Sequence, residues 1–394
     1  MQQNLEGNIK KYNLLKIFTK RVFLPLIAIF LTTVGGVTLP QLGIIASVTG
    51  LVSLILEVPT GYLADKWGHK NSLIFGSLLC TLSVLPYIFM PSFWGGLIGT
   101  VVFFVGGSFS SGTVQAFMHE TLLSLARESE YTKIMGRAQS YGLLGNVILV
   151  ALVPLTYSLN PLLPFIIGFF CLLIGTIITA TFVSPPAKIH VQENFRKALT
   201  TIRRSLSKNA LVKLLLIFII FGISSAAFDA SIIYREIVFK DIHIPVAYFG
   251  FILALSSLLA AITGKYIHHL KKLTPSKFYL FDILYVSIAF ILIGITRNPT
   301  VIVMAFVLFP TYDRTRNIIF ESQLFEEFSG SNYKATLVSI MNFFPLIANM
   351  IISLVLTVLI AKTNLFIGHS LFGIFLAIIL LSVLFAHNFI ASKK

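Results

Sequence analysis

The chain has 394 residues, of which 56% are hydrophobic and only 11% charged, against the roughly 25% charged residues of a soluble domain. With 36 phenylalanines as well, it cannot be a soluble globular protein, and its apolar runs are long enough for membrane-spanning helices rather than barrel strands. The net charge of +15 comes from bases clustered between apolar runs, which is the positive-inside bias of cytoplasmic loops and not a nucleic-acid surface.

At roughly 20 residues per span, the sequence divides into twelve expected helices. Span 1 covers about 13–37 and span 2 about 40–64. A charged turn follows, Gly61-Tyr62-Leu63-Ala64-Asp65-Lys66-Trp67-Gly68-His69-Lys70. Spans 3 and 4 cover about 72–90 and 94–118, and a polar connector runs from His119 to Gly136. Span 5 (about 138–158) and span 6 (about 162–183) meet at Asn160-Pro161. The longest polar interval, Ser184 to Asn209, opens with Pro185-Pro186 and carries Lys188, Arg196, Lys197, Arg203, Arg204 and Lys208. Spans 7 to 12 then cover about 211–234, 246–264, 276–296, 300–322, 335–360 and 365–390.

This layout predicts an all-α integral membrane protein of two six-helix bundles, residues 1–183 and 210–394, joined by a central cytoplasmic loop at 184–209. The N-terminal segment and the intervals after spans 2, 4, 6 and 8 hold most of the bases, so both termini are expected in the cytoplasm. No small-residue cleavage site follows the first apolar run, so no removable signal peptide is expected. Cys80 and Cys171 sit inside apolar runs and read as small core residues. His119 and the pair His268-His269 lack partners at metal-ligand spacing, and no glycine loop leads into Lys-Ser/Thr. No metal, cofactor or ATP-driven step is expected.

The stretch GYLADKWGHK resembles the signature between helices 2 and 3 of major facilitator superfamily transporters, written G-x-L-A-D-R-x-G-R-K. Gly61, Leu63, Ala64, Asp65, Gly68 and Lys70 match, while Lys66 and His69 stand where the pattern has arginines. Lysine keeps the charge without the bidentate fork, and histidine can be neutral at physiological pH. Glu57-x-Pro59-x-Gly61 and the Ala335-Thr336 of Tyr333 to Ser339 are similar to helices 2 and 11 of bacterial exporter-like branches. Two antiporter marks are missing: Phe103 to Met118 holds no arginine, and Gly142 to Asn146 holds no Gly-Pro. The resemblance implies a latch at Gly61–Lys70, braced by Glu57, that releases during transport.

Ionisable side chains inside lipid cost at least ~2.5–3.5 kcal/mol near the centre and usually mark a path, a partner or a cavity. Lys20 and Arg21 fall in span 1 or at its start, Glu120 at the end of span 4, and Asp229, Arg235 and Glu236 in or just after span 7. Asp313, Arg314, Arg316 and Glu321 fall in span 10. In the family that the chain resembles, helices 1, 4, 7 and 10 line the cavity. Asp229, Asp313 and Glu120 are therefore candidate proton carriers, and Lys20, Arg21, Arg314 and Arg316 are candidate cavity residues. Asp313 and Arg316, three apart, can pair on one helix face.

These residues predict a non-enzymatic secondary transporter that exchanges protons for export of a small amphipathic compound. The alternative is transport of an anionic metabolite or lipid headgroup on the basic residues. The remote alternative is a membrane receptor or enzyme. The expected partners are a small-molecule substrate, protons and the bilayer of the cell membrane, and the expected state is a monomer.

Overall fold

Prolines and asparagines punctuate the apolar runs, and the helices start and stop at them. The computed structural model describes residues 2–111, 113–186, 208–263, 274–327 and 334–392. Among these, α1 covers Gln2–Phe18, a 3-10 turn Leu24–Leu26, and α2 Ile27–Thr33. Next come α3 (Leu39–Trp67), α4 (His69–Leu82), α5 (Leu85–Phe89), α6 (Phe93–Ser110) and α7 (Thr113–Ser124). α8 covers Tyr131–Leu152 and α9 Leu163–Ala180. The chain then forms α10 (Lys208–Asp241), α11 (Phe249–Thr263), α12 (Pro275–Ile295), α13 (Pro299–Glu327), α14 (Lys334–Lys362) and α15 (Leu365–Ser392).

Local chemistry sets these boundaries. The Thr38 amide donates to the Gln41 side chain at 2.9 Å, a capping box that starts α3 with Pro40 in its first turn. Asn298 accepts from the Thr300 amide at 2.9 Å to start α13, and Asn364 accepts from the Ile367 amide at 2.9 Å to start α15. The expected unbroken span 1 is in fact two pieces. Pro25 has no amide to offer the Arg21 carbonyl, and the Leu24 amide takes that carbonyl instead at 2.9 Å. The helix is therefore broken between Phe18 and Leu24.

The charged turn also differs from expectation. α3 continues through the motif as far as Trp67, and the chain turns at Gly68 alone, whose φ of +84° favours glycine. α10 runs on to Asp241, so Arg235 and Glu236, expected at or beyond its end, lie within the helix as a buried ion pair.

Among the described residues, nine helices are long and apolar enough to cross a membrane, and Leu24–Thr33, Val246–Ala260 and Pro299–Asp313 are shorter apolar helices. Large side chains such as Phe89 (80% exposed), Leu144 (66%) and Phe385 (74%) stand out along them. Water would penalise such a surface, whereas a bilayer matches it.

The chain clusters into two units. Unit 1 comprises Met1–Gln41, Leu51–His190 and Ile244–Ala254; unit 2 comprises Leu42–Gly50, Val191–His243 and Leu255–Lys394. Most of the central loop expected at 184–209 lies outside the described residues, as does the basic turn 264–273.

In unit 1, α1 packs on α8 and α9, and α4 on α6 and α9. Tyr12, Leu15, Leu73, Phe117, Met118, Leu122, Ile134 and Phe182 form one buried cluster there. The Thr81 and Thr176 hydroxyls meet at 2.9 Å, a polar link between α4 and α9. Buried Asn8 closes the end of α9: its amide donates to the Val183 carbonyl at 2.8 Å and its oxygen accepts from the Val183 amide at 2.9 Å. In unit 2, α12 packs along α15 and α10 along α14.

Candidate functional site

Among the described residues, three groups of polar side chains bear on the expected site, two in unit 1 and one in unit 2. The first is the α3–α4 junction. His69 Nδ1 lies 3.0 Å from Glu120 Oε2, which joins the start of α4 to α7 as an ion pair when the imidazole is protonated. Glu120, expected as a proton carrier, therefore stands beside the signature motif. Lys66 is exposed and Lys70 half-buried. Among the described residues, a Cβ on Gly61 would meet nothing within 4 Å. The side chains of Glu57 and Asp65 lie outside the described set.

The second group surrounds the break after α1. The Phe18 carbonyl lies against Gly175 of α9, and Gly168 leaves room for the Phe23 ring. Residues 19–22 thus stand beside the middle of α9, which covers Leu163–Ala180. Lys20 and Arg21 consequently sit deep along the helix bundle and not at its end. The Arg21 guanidinium is 4.0 Å from the centre of the Phe103 ring and 5.4 Å from that of Phe104, with the Tyr87 phenol beside it.

The third group is centred on Arg316 of α13, whose side chain is 0% exposed. Its Nε lies 3.0 Å from Asp282 Oδ1, and its Nη1 lies 3.7 Å from Asp313 Oδ1. Nη2 donates to the Phe221 carbonyl at 3.3 Å, and Nη1 reaches Ser225 Oγ at 3.5 Å. The rings of Phe221, Phe228 and Phe320 lie 5.2, 5.2 and 5.1 Å from the guanidinium carbon. The Tyr312 hydroxyl donates to the same Asp282 oxygen at 2.9 Å. Asp229 on α10 lies within electrostatic reach of both Asp313 and Arg316, and Asn349 Nδ2 donates to it at 3.4 Å.

Burial grades the three carboxylates. Asp282 is 0% exposed, the Asp313 side chain 30%, and Asp229 stands exposed. One described guanidinium thus faces three described carboxylates, two of which solvent can reach.

The sequence pointed to Asp229, Asp313 and Arg316, and the fold gathers all three. The Arg314 and Glu321 side chains lie outside the described set. Arg235 is held by Glu236, which leaves Asp229 to the Arg316 group. Asp282 was missed, although a lone acid among the apolar residues of span 9 was a signal in itself. Tyr312 and Asn349, uncharged, gave none.

The Major Facilitator Superfamily profile matches residues 13–313. An uncharacterized MFS-type transporter YxaM of Bacillus subtilis is 25% identical over 228 residues, 56% of this chain and 56% of that protein. An uncharacterized transporter of Buchnera aphidicola is 24% identical over 343 residues, covering 83% and 82% of the two chains. Among solved structures, the nucleoside transporter NupG is similar at 15% identity and a TM-score of 0.75, covering 99% of this chain and 100% of that one. A D-xylose-proton symporter is similar at 13% identity and a TM-score of 0.68, covering 96% and 97%. The all-helical membrane fold, the signature at Gly61–Lys70 and these matches agree: the chain is a multi-pass transporter, not an enzyme, and it belongs to the Major Facilitator Superfamily.

Proposed function

We propose that the protein is a secondary transporter of a small molecule, driven by protons through the Arg316 group. The observation that carries this reading is the convergence of Asp282, Asp313 and Asp229 on the buried Arg316 guanidinium. A buried guanidinium is held by buried Asp282, while the accessible Asp313 and Asp229 compete for the same positive charge. Protonating Asp229 or Asp313 releases Arg316 wholly to Asp282; deprotonation draws it back. If those arrangements differ in stability between two conformations, proton binding shifts the balance between them.

Export across the cell membrane is the direction supported by the likeness of Glu57-x-Pro59-x-Gly61 and Ala335-Thr336 to exporter branches. The clustered bases support a cytoplasmic placement of both termini, and each unit's own core supports a monomer of two bundles.

The test uses proteoliposomes with a pH-sensitive dye inside and an imposed pH gradient, challenged with compounds that stabilise the purified protein. A stabilising compound should discharge the gradient in the wild type and fail to do so in the Asp229→Asn/Asp313→Asn double variant. Equal discharge in both proteins, or compound movement without a gradient, would remove protons from the account.

A further inference from the structure

We propose that a groove between α12 and α15 holds a phospholipid with an anionic headgroup, its acyl chain along Leu280 and Leu381 and its phosphate at Lys277. The groove lies within unit 2 and uses none of the side chains around Arg316, so the proposal stands or falls apart from proton coupling.

The first observation is a cavity. α12 and α15 pack along each other and leave a space of about 620 Å³, lined by Leu280, Leu381, Ser382, Leu384, Phe385 and Asn388. Leu280, Leu381 and Phe385 are exposed, so the space opens outward. All the apolar lining residues fall in Pro275–Ile295 and Leu365–Ile390, two helices long and apolar enough to cross a membrane. The medium at this opening is therefore lipid, not water.

The second observation is that one end of the groove is polar. Ser276 Oγ donates to Asn388 Oδ1 at 2.8 Å, which bridges the start of α12 and the end of α15. That bond occupies the Asn388 oxygen and leaves its NH2 group to donate elsewhere. Lys277 is exposed and makes no ion pair among the described residues. It precedes Leu280 by three residues, so the two share a face of α12. Asn388 follows Leu381 by two helical turns, roughly 10 Å along α15. The groove thus runs from leucine and phenylalanine side chains to an amide, a hydroxyl and an ammonium group.

This gradient selects the occupant. A lipid tail is as apolar as leucine, so an acyl chain fills the groove without a desolvation cost but does not discriminate between lipids. The polar end does. A lysine near a helix end carries its ammonium to the interface, the depth of the phosphates, where it offers a charge-assisted hydrogen bond. A zwitterionic choline headgroup brings a second cation that Lys277 repels, whereas a glycerol headgroup does not. The clustered bases support a cytoplasmic placement of this end, the leaflet whose anionic lipids attract exposed lysines.

The test is native mass spectrometry of the purified full-length protein, released from detergent micelles that hold equal amounts of dioleoylphosphatidylglycerol and dioleoylphosphatidylcholine. The wild type should retain the glycerol lipid about fivefold more strongly, the worth of one lysine at an anionic surface. Lys277→Gln should abolish that preference and Lys277→Arg should keep it; Lys277 is exposed, so both variants leave the packing intact. Leu381→Trp, which fills the groove, should lower the retention of both lipids, whereas Ile351→Trp on the exposed side of α14 should change neither. Glycerol phosphate, which has the charge and no chain, should displace nothing. Equal retention of the two lipids by the wild type, an undiminished preference in Lys277→Gln, or full retention in Leu381→Trp would overturn the site. Displacement by glycerol phosphate would give it to a soluble phosphate instead, and a dimer that Leu381→Trp disrupts would give it to a second copy of the chain.

Discussion

Arg316 and Asp282 are both fully buried and 3.0 Å apart, so neither can lose its partner cheaply. Asp282→Asn leaves a guanidinium with only the more exposed Asp313 and Asp229 beside it among the described residues. A buried charge robbed of its partner costs about 3–5 kcal/mol, and thermal unfolding in detergent should show a loss of that order. Asp282→Asn/Arg316→Gln together should recover much of it, since no buried charge then stands alone. A double variant as unstable as the sum of the singles would mean that the two side chains do not act as a pair. His69 and Glu120 make a different kind of contact, at the start of α4, with the side chains 14% and 13% exposed. His69→Ala takes this partner from a largely buried carboxylate, so the unfolding temperature should fall. If this junction is a latch, the change should appear in transport rate as well.

At the level of elements, α1 is the piece that the sequence described least well. Periodicity and hydropathy place a span at 13–37, yet Gln2 to Leu15 is too polar for a window of that kind to count as helix. Tertiary contacts make it one: Tyr12 and Leu15 enter the unit 1 core, and Asn8 ties α1 to the end of α9. Asn8→Ala strips two hydrogen bonds from Val183, and each buried group left unsatisfied costs about 1–3 kcal/mol. Amide exchange at Val183 and in the last turn of α9 should accelerate, and unchanged exchange there would contradict the role. Gly145 tests the same packing from the other side. A Cβ there would collide with the Ile17 side chain, so Gly145→Leu should push α1 off α8 and lower the unfolding temperature more than Gly107→Leu. A Cβ on Gly107 meets nothing within 4 Å among the described residues. The break after Phe18 was legible only as Pro25, since a proline in an apolar run signals either a kink or a first turn. The signature motif was legible as chemistry, but its length as a turn was not: helix propensity carries α3 through Ala64 to Trp67, and Gly68 alone has the backbone freedom to end it.

Across the whole molecule, what the sequence conveys best is class. Charge scarcity, long apolar runs and the Gly61–Lys70 signature lead to a transporter of this superfamily before any coordinate is known. Which ionisable groups meet depends on helix rotation and tilt, and no window over the sequence carries those. Asp313 and Arg316 could be paired from their spacing, but Asp282 and Tyr312 join them only through the packing of α12 beside α13. We propose on this basis a transporter whose unit 2 carries the proton-responsive group around Arg316.

Its central claim, coupling through the accessible aspartates, is tested most directly in proteoliposomes carrying an imposed pH gradient, with a labelled compound that stabilises the purified protein. The account predicts movement that follows the gradient in the wild type and stops in Asp229→Asn/Asp313→Asn, while the compound still stabilises that variant. Gradient-driven movement at the wild-type rate in the double variant would contradict it.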